Sequence, residues 1–417
     1  TNVALGVSAL GADTKGNSSV AIGSSALRLQ NFTSNTDVYN VAIGRSAGEN
    51  VTTGRMNTLI GGLAGDALTD ADFNVAIGIN ALTADTLGSK SVAIGDSALG
   101  AQNFTSATDS FNTAVGYSAG QAVSTGTSNT LIGALAGDAI TTGVSNNAVG
   151  FGALGATTTP NQNNAFGRNS LGSNTTGADN SGFGQNTLGS ATTGSNNTAV
   201  GSDAGGSITT GVENTLIGAL AGDALTDADF NVAIGKNALS ADTLGSKSIA
   251  IGLAALQTQN FTSATDSFNV AIGHLAGEKV TTGRFNNLIG SLAGDAITTG
   301  TNNTALGYGA GRALTTAEQS CVVGAGAGLA LTGSKNTLIG ADSGNAITSG
   351  TKNTVLGRFN GDQGGLDIRT ASNNIVLSDG DGNINYSYTL ADNTTKMPKV
   401  YSNTTSSAAN VNILSSG

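Results

Sequence analysis

"NTLIG" at residues 57–61 and "NVAIG" at 74–78 are one phrase written twice, and the fold turns on how that phrase recurs. NTLIG returns at 129–133, 214–218 and 336–340, NVAIG also stands at 40–44, 231–235 and 269–273, and NTAVG occupies 112–116 and 197–201. The closing glycines run from Gly6, Gly23, Gly44 and Gly61 to Gly357 at intervals of 17 residues, apart from three of 21 and one of 16. A fixed period signals a stack of like units, each touching only its neighbours. Seventeen residues are too few for a repeat of two helices, which needs over 30. β-Branched phrases bounded by glycine suit one coil of a parallel β-solenoid, whose strands lie about 4.8 Å apart. The sequence therefore predicts an all-β solenoid of about 21 coils over residues 1–360 and a non-repeat segment over 361–417.

Within the phrase each position has a physical role. Asn stands four residues before the glycine, with Ser19, Ser91, Ser248 and Ser320 as exceptions, which predicts a ladder of stacked amides. The closing glycine marks a sharp turn of positive φ, and the glycine of the later "TTG" corner is expected to do the same. Leu59 and Ile60 are adjacent and both apolar, yet successive strand residues point to opposite faces. One fills the coil and the other seeks a partner, so the reading is a homo-oligomer packed around a shared axis.

Composition removes several function classes. Glycine is abundant (62 residues), proline nearly absent (2) and only 11% of residues are charged, unlike collagen or a charged disordered tail. A net charge of −10, with 17 scattered Lys and Arg, argues against nucleic acid as a partner. No apolar run reaches the roughly 18 residues of a membrane span. Cys321, alone of its kind, is expected as a small buried apolar side chain.

Catalytic constellations are not found: there is one histidine, His274, and no CxxC, HExxH or phosphate-binding loop. We expect no enzyme, no cofactor and no metal. Glu49 with Asp66, and Glu278 with Asp295, fall at equivalent places in adjacent coils, about 5 Å apart. They read as a solvated edge, with a shared cation as the alternative. A carbohydrate-cleaving spike would need such a carboxylate pair, but tryptophan is absent and no aromatic sugar platform is evident. The paired threonines from Ser124-Thr125 to Thr209-Thr210 look like an ice-binding surface, yet adjacent residues face opposite ways and the site is a corner, where hydroxyls cap turns. "DGDGN" (379–383) begins like a calcium loop, but Ile384 and Leu390 stand where Gly and Glu are required. It predicts a tight turn joining "NNIVLS" to "INYSYTL" in a β-hairpin, followed by an extended tail, "TTSSAANVNILSSG" (404–417).

The three 21-residue intervals carry related text: "QNFTSNTDVYN" (30–40) and "QNFTSATDSFN" (102–112 and 259–269). Four extra residues are expected to leave the coil as a loop bearing two aromatics. Candidate contact residues are Asn31, Phe32, Tyr39, Asn103, Phe104, Phe111, Asn260, Phe261 and Phe268. Each aromatic pair reads as a staple packed on itself or on a neighbouring chain, or else as a glycan contact on a rigid scaffold.

"NSSVAIGSSAL" (17–27) and "KSVAIGDSAL" (90–99) resemble the head repeats of trimeric autotransporter adhesins, and the whole run, with "NTLIGALAGDAITTG" phrases and "SNNIVLSDGDGN" (372–383), looks more like a bacteriophage tail fibre or tail spike. The resemblance implies a left-handed β-roll assembled as a homotrimeric rod. It implies a structural, extracellular virion segment that supports host attachment, with other tail proteins and a host surface glycan or protein as partners. A bacterial surface adhesin is the alternative. Residues 61–116 and 218–273 agree at about 46 of 56 positions, a copied block that suits a spacer better than an enzyme.

Overall fold

A computed structural model describes residues 1–389 and the backbone of Thr394–Lys396. The extended tail expected at 404–417 lies outside the described residues. These are all-β, without helix, and form a parallel β-solenoid of about 22 turns with a period of about 17 residues. They divide into two compact units, Thr1–Phe268 and the described residues from Asn269 onward. The first stacks fifteen three-residue rungs from Val3–Leu5 to Ile249–Ile251, and the second stacks seven from Val270–Ile272 to Asn374–Ser378. The register is uniform: Thr58, Leu59 and Ile60 pair with Val75, Ala76 and Ile77, one period on.

Each coil encloses a thin core. Leu59, Ala64, Leu68 and Ala71 are fully buried, and the same places in the next coil hold Ala76, Ala81, Asp85 and Gly88, all buried. The predicted ladder is present, and it joins each coil to the next. Asn57 Oδ1 accepts the Asn74 backbone N–H at 2.9 Å, while Asn57 Nδ2 donates to Ala71 O at 2.8 Å. Asparagine suits the place because one short side chain satisfies both a donor and an acceptor that would otherwise be buried unpaired.

The serine exceptions now have a cause. Before each insert the side chain is short, and the insert's glutamine restores the missing reach. Gln102 Nε2 donates to Ser91 Oγ at 2.8 Å, and Gln102 Oε1 accepts from Asn112 Nδ2 at 2.9 Å. Gln30 bridges Ser19 and Asn40 in the same way.

The corners differ from expectation. The strand glycines do take positive φ, as at Gly61 (137°) and Gly133 (132°). The TTG glycines do not, and the column elsewhere holds Ala71, Pro160 and Ala228, so no positive φ is required there. The chain turns instead in the left-handed region at three places per coil: four residues after the strand glycine, where leucine or glycine stands, as in Leu82 (φ 55°) and Gly65 (54°), and at two more that mostly carry other residues. One lies two residues after the strand glycine, as in Leu63 (φ 58°) and Asn80 (55°). The other immediately precedes the ladder Asn, as in Met56 (57°), Phe73 (61°) and Lys90 (62°). Each non-glycine residue so placed costs roughly 1–2 kcal/mol; the stack holds them, for instance by Met56 N–H donating to Val38 O at 2.9 Å and Leu63 N–H to Arg45 O at 3.0 Å.

Asn374–Ser378 is both the first strand of the expected hairpin, antiparallel to Ile384–Thr389, and a rung in register with Thr354–Leu356. Stacking therefore runs past Gly357, where the sequence period stops. Ser378 stands in place of the closing glycine, which hid this rung. The coil before it holds a small antiparallel pair, Asp362–Gln363 with Leu366–Asp367.

Candidate interaction surfaces

The two-faced strand sets the main surface. Its middle residue is buried and its flanking residues point outward: Leu216 is fully buried, while Ile217 keeps 38% of its surface exposed. Ile43, Ile132, Phe166, Phe183 and Val200 repeat that outward place in the first unit, and Ile289, Leu306, Ile339 and Leu356 in the second. Phe166 and Phe183 stack with ring centroids 5.0 Å apart, as register partners should. Cys321 belongs to this outward set. It is half-buried, not buried as expected, because it opens its strand and so lies on the same face as Val323, away from the core.

The inserts do not simply loop out. Part of each returns as a second short parallel pair, Gly88–Ser89 with Thr108–Asp109, Gly16–Asn17 with Thr36–Asp37 and Gly245–Ser246 with Thr265–Asp266. This separates the aromatic pairs. Phe32, Phe104 and Phe261 turn inward, Phe104 retaining 6% exposure, while Tyr39, Phe111 and Phe268 turn outward, Phe111 at 56%. Asn31, Asn103 and Asn260 are exposed, and each Oδ1 accepts a threonine hydroxyl of the preceding coil: Thr14, Thr86 and Thr243. Beneath Phe104 the buried Asp85 carboxylate accepts from Gly88 N–H (3.0 Å), Phe104 N–H (3.1 Å) and Gln102 Nε2 (2.6 Å). Burial nonetheless pushes its pKa upward. Asp242 repeats the arrangement under Phe261.

The outward aromatics join residues the sequence reading passed over. Tyr39 and Phe111 occupy the left-handed position before the ladder Asn, and so do Met56, Phe73 and Lys90 in the coils between them. Tyr39, Met56, Phe73, Lys90 and Phe111 thus form one exposed column, with Phe73 49% exposed and Lys90 Nζ 5.3 Å from the Phe111 ring centre. Lys90 also pairs with Asp109 at 2.6 Å. The copied block repeats the column as Phe230, Lys247 and Phe268. Between them the same position holds Ser128, Ser145, Gln162, Asp179, Asn196 and Glu213, so the apolar columns are two separate patches. The signal was available: an apolar residue directly before the ladder Asn, at a corner, has no inward place to go.

The acidic pairs are engaged by other groups. Arg28 reaches Glu49 at 2.8 Å, and hydrogen bonds from Ser46 and then Arg28 hold its pKa below the ordinary value. Asp66 accepts the Thr83 hydroxyl at 2.6 Å, and burial raises its pKa. Asp295 lies 3.4 Å from Arg312. Among the described residues no group of three or more His, Cys, Asp or Glu is placed to hold a metal ion. The inner threonine column bonds from coil to coil and does not cap turns: Thr141 Oγ1 donates to Thr158 O, Thr175 Oγ1 to Thr192 O and Thr192 Oγ1 to Thr209 O, at 3.0–3.2 Å. His274 is exposed on a variable position. No family model, curated protein or solved structure matches this chain.

Proposed function

We propose that the chain is a non-enzymatic shaft segment of a virion tail fibre, self-associated as a homotrimer and able to touch a host surface along its flank. The observation that carries this reading is the outward strand face: rung after rung presents an Ile, Val, Leu or Phe that the other described residues leave about 40% exposed. Monomeric proteins rarely expose contiguous apolar surface of such length, and a second and third copy would remove it from water. The ladder and the left-handed corners serve stacking, as a spacer requires. The two aromatic columns supply a flank contact distinct from the strand face. Light scattering on the purified chain tests the assembly: Ile217→Lys together with Ile132→Lys should lower a trimeric mass to that of the monomer, and a monomeric parent chain would end the proposal. Antibody raised against the segment tests the setting. Labelling along fibres on virions supports it, whereas labelling only of uninfected bacterial surfaces would make the chain an adhesin.

A further inference from the structure

Between Gly152 and Asp223 the first unit carries a groove of about 630 Å³, within the size range of small-molecule sites. Its cause is readable in the stack. The position five residues after the strand glycine holds Asp66, Thr83, Gln121 and Asp138 in other coils, but it is glycine in four successive coils, Gly155, Gly172, Gly189 and Gly206. What remains around the groove is polar. Asn169, Asn186 and Asp203 line it from the left-handed corner, and Ser173, Ser190 and Ser207 stand where most coils have alanine. The three serines are exposed, and their hydroxyls have no hydrogen-bond partner among the described residues. At one end Asp223 Oδ1 is buried without a partner, a costly state for an acceptor unless a ligand or water reaches it. Burial raises the pKa of that carboxyl.

We propose that this groove binds a neutral oligosaccharide segment lying along the stack. Amides, hydroxyls and carboxylates offer the mixed donors and acceptors that vicinal sugar hydroxyls need. No Lys or Arg lines the groove, so an anionic glycan or a phosphate would find acids and no counter-charge. Rungs recur at about 4.8 Å, close to the length of one sugar residue, so successive rings meet the same set of Asn, Gly and Ser. The missing side chains let a ring face approach the backbone directly. None of these residues belongs to the outward strand face or to the aromatic columns, so the inference stands whether or not the shaft reading does.

The test uses the full chain and neutral tetrasaccharides of glucose, mannose, galactose and N-acetylglucosamine in α and β linkage, with hyaluronan and alginate as acidic probes, followed by calorimetry. Gly189→Gln and Gly206→Gln fill the groove with a residue that Gln121 and Gln257 already carry at the equivalent place, so the coil is preserved. Asp203→Leu copies Leu135 and Leu220. The expected result is saturable binding of at least one neutral series, weakened tenfold or more by each variant, with thermal melting unchanged. Binding of acidic probes alone, no binding of any neutral probe, or filled variants that bind as well as the parent would each overturn it.

Discussion

Replacing Asn197 by alanine tests the ladder where it is most regular. Asn197 is fully buried. Its Oδ1 accepts both the Asn214 backbone N–H and Asn214 Nδ2 at 3.0 Å, and its own Nδ2 donates to Gly211 O at 2.8 Å. Alanine leaves a backbone donor and a backbone carbonyl inside the coil with no substitute, at about 1–3 kcal/mol each. Allowing for some relaxation, the local cost is about 2–4 kcal/mol. Each coil rests on its neighbours alone, so the loss should appear as local opening and not as global unfolding. At about 1.4 kcal/mol per factor of ten, hydrogen-exchange protection of the Asn214 and Thr215 amides should fall about 30- to 700-fold while far-ultraviolet circular dichroism is unchanged. Thr193→Ala, at an exposed corner position, is the control. Asn197→Ser should behave nearly as badly as alanine, because Ser91 is supported by Gln102 and Ser110 and Asn197 has no such neighbours in its coil. Protection in Asn197→Ala within threefold of the control, or a serine variant indistinguishable from the parent, would refute the argument that these amides hold the stack together.

Three further outcomes follow from the same geometry. Gly133→Ala places a Cβ 2.6 Å from Gly150 O at φ 132°, a region essentially closed to other residues, and should cost about 3 kcal/mol or more; limited proteolysis should then cut near residue 133 where the parent resists. Burial raises the pKa of Asp85 above its ordinary 3.8, so the folded insert holds that proton to higher pH than the unfolded chain does. Its contribution is full below 3.8 and is lost as pH rises through the raised folded value; protection factors of the Gly88 and Phe104 amides should decline over that window, and Asp85→Asn should flatten the decline. Phe73→Ser with Phe230→Ser should leave melting within about 1 °C of the parent, since exposed substitutions rarely exceed about 0.5 kcal/mol, yet reduce attachment to host cells; a double variant that melts well below the parent would make these columns structural.

The inserts show how a polar core can vary in concert. Three of the four ladder serines are followed by a coil that carries glutamine ten residues before its own Asn, as in Gln102 and Asn112. Gln30 and Gln259 repeat the pairing with Ser19 and Ser248. Ser320 has no insert, and there Asn336 N–H reaches the serine hydroxyl itself at 3.3 Å across the shortened 16-residue interval. The extra four residues and the serine are thus one change, because a buried amide left without its partner would cost as much as the ladder bond it replaced.

By itself the sequence determined the period, the parallel register, the amide ladder and the division of each strand into a buried and an outward residue. In a one-dimensional stack the neighbour of every residue is the residue one period away, so offsets of 17 already amount to a contact map. Tertiary structure decided the rest, and one physical fact accounts for much of it. Which corner residues enter the left-handed region, and which of those face outward, is not marked in their residue type: Met56 and Phe73 lie there exposed, while Leu27 and Leu82 lie there buried. Folding therefore sent Phe104 inward and Phe111 outward from the same insert, gathered Tyr39, Met56 and Phe73 into one column, and placed Asn169, Asn186 and Asp203 beside four consecutive glycines. The last rung escaped notice for a complementary reason: Ile375, Val376 and Leu377 keep the apolar strand, but Ser378 replaces the glycine by which the period was read, and only backbone pairing with Thr354–Leu356 identifies it.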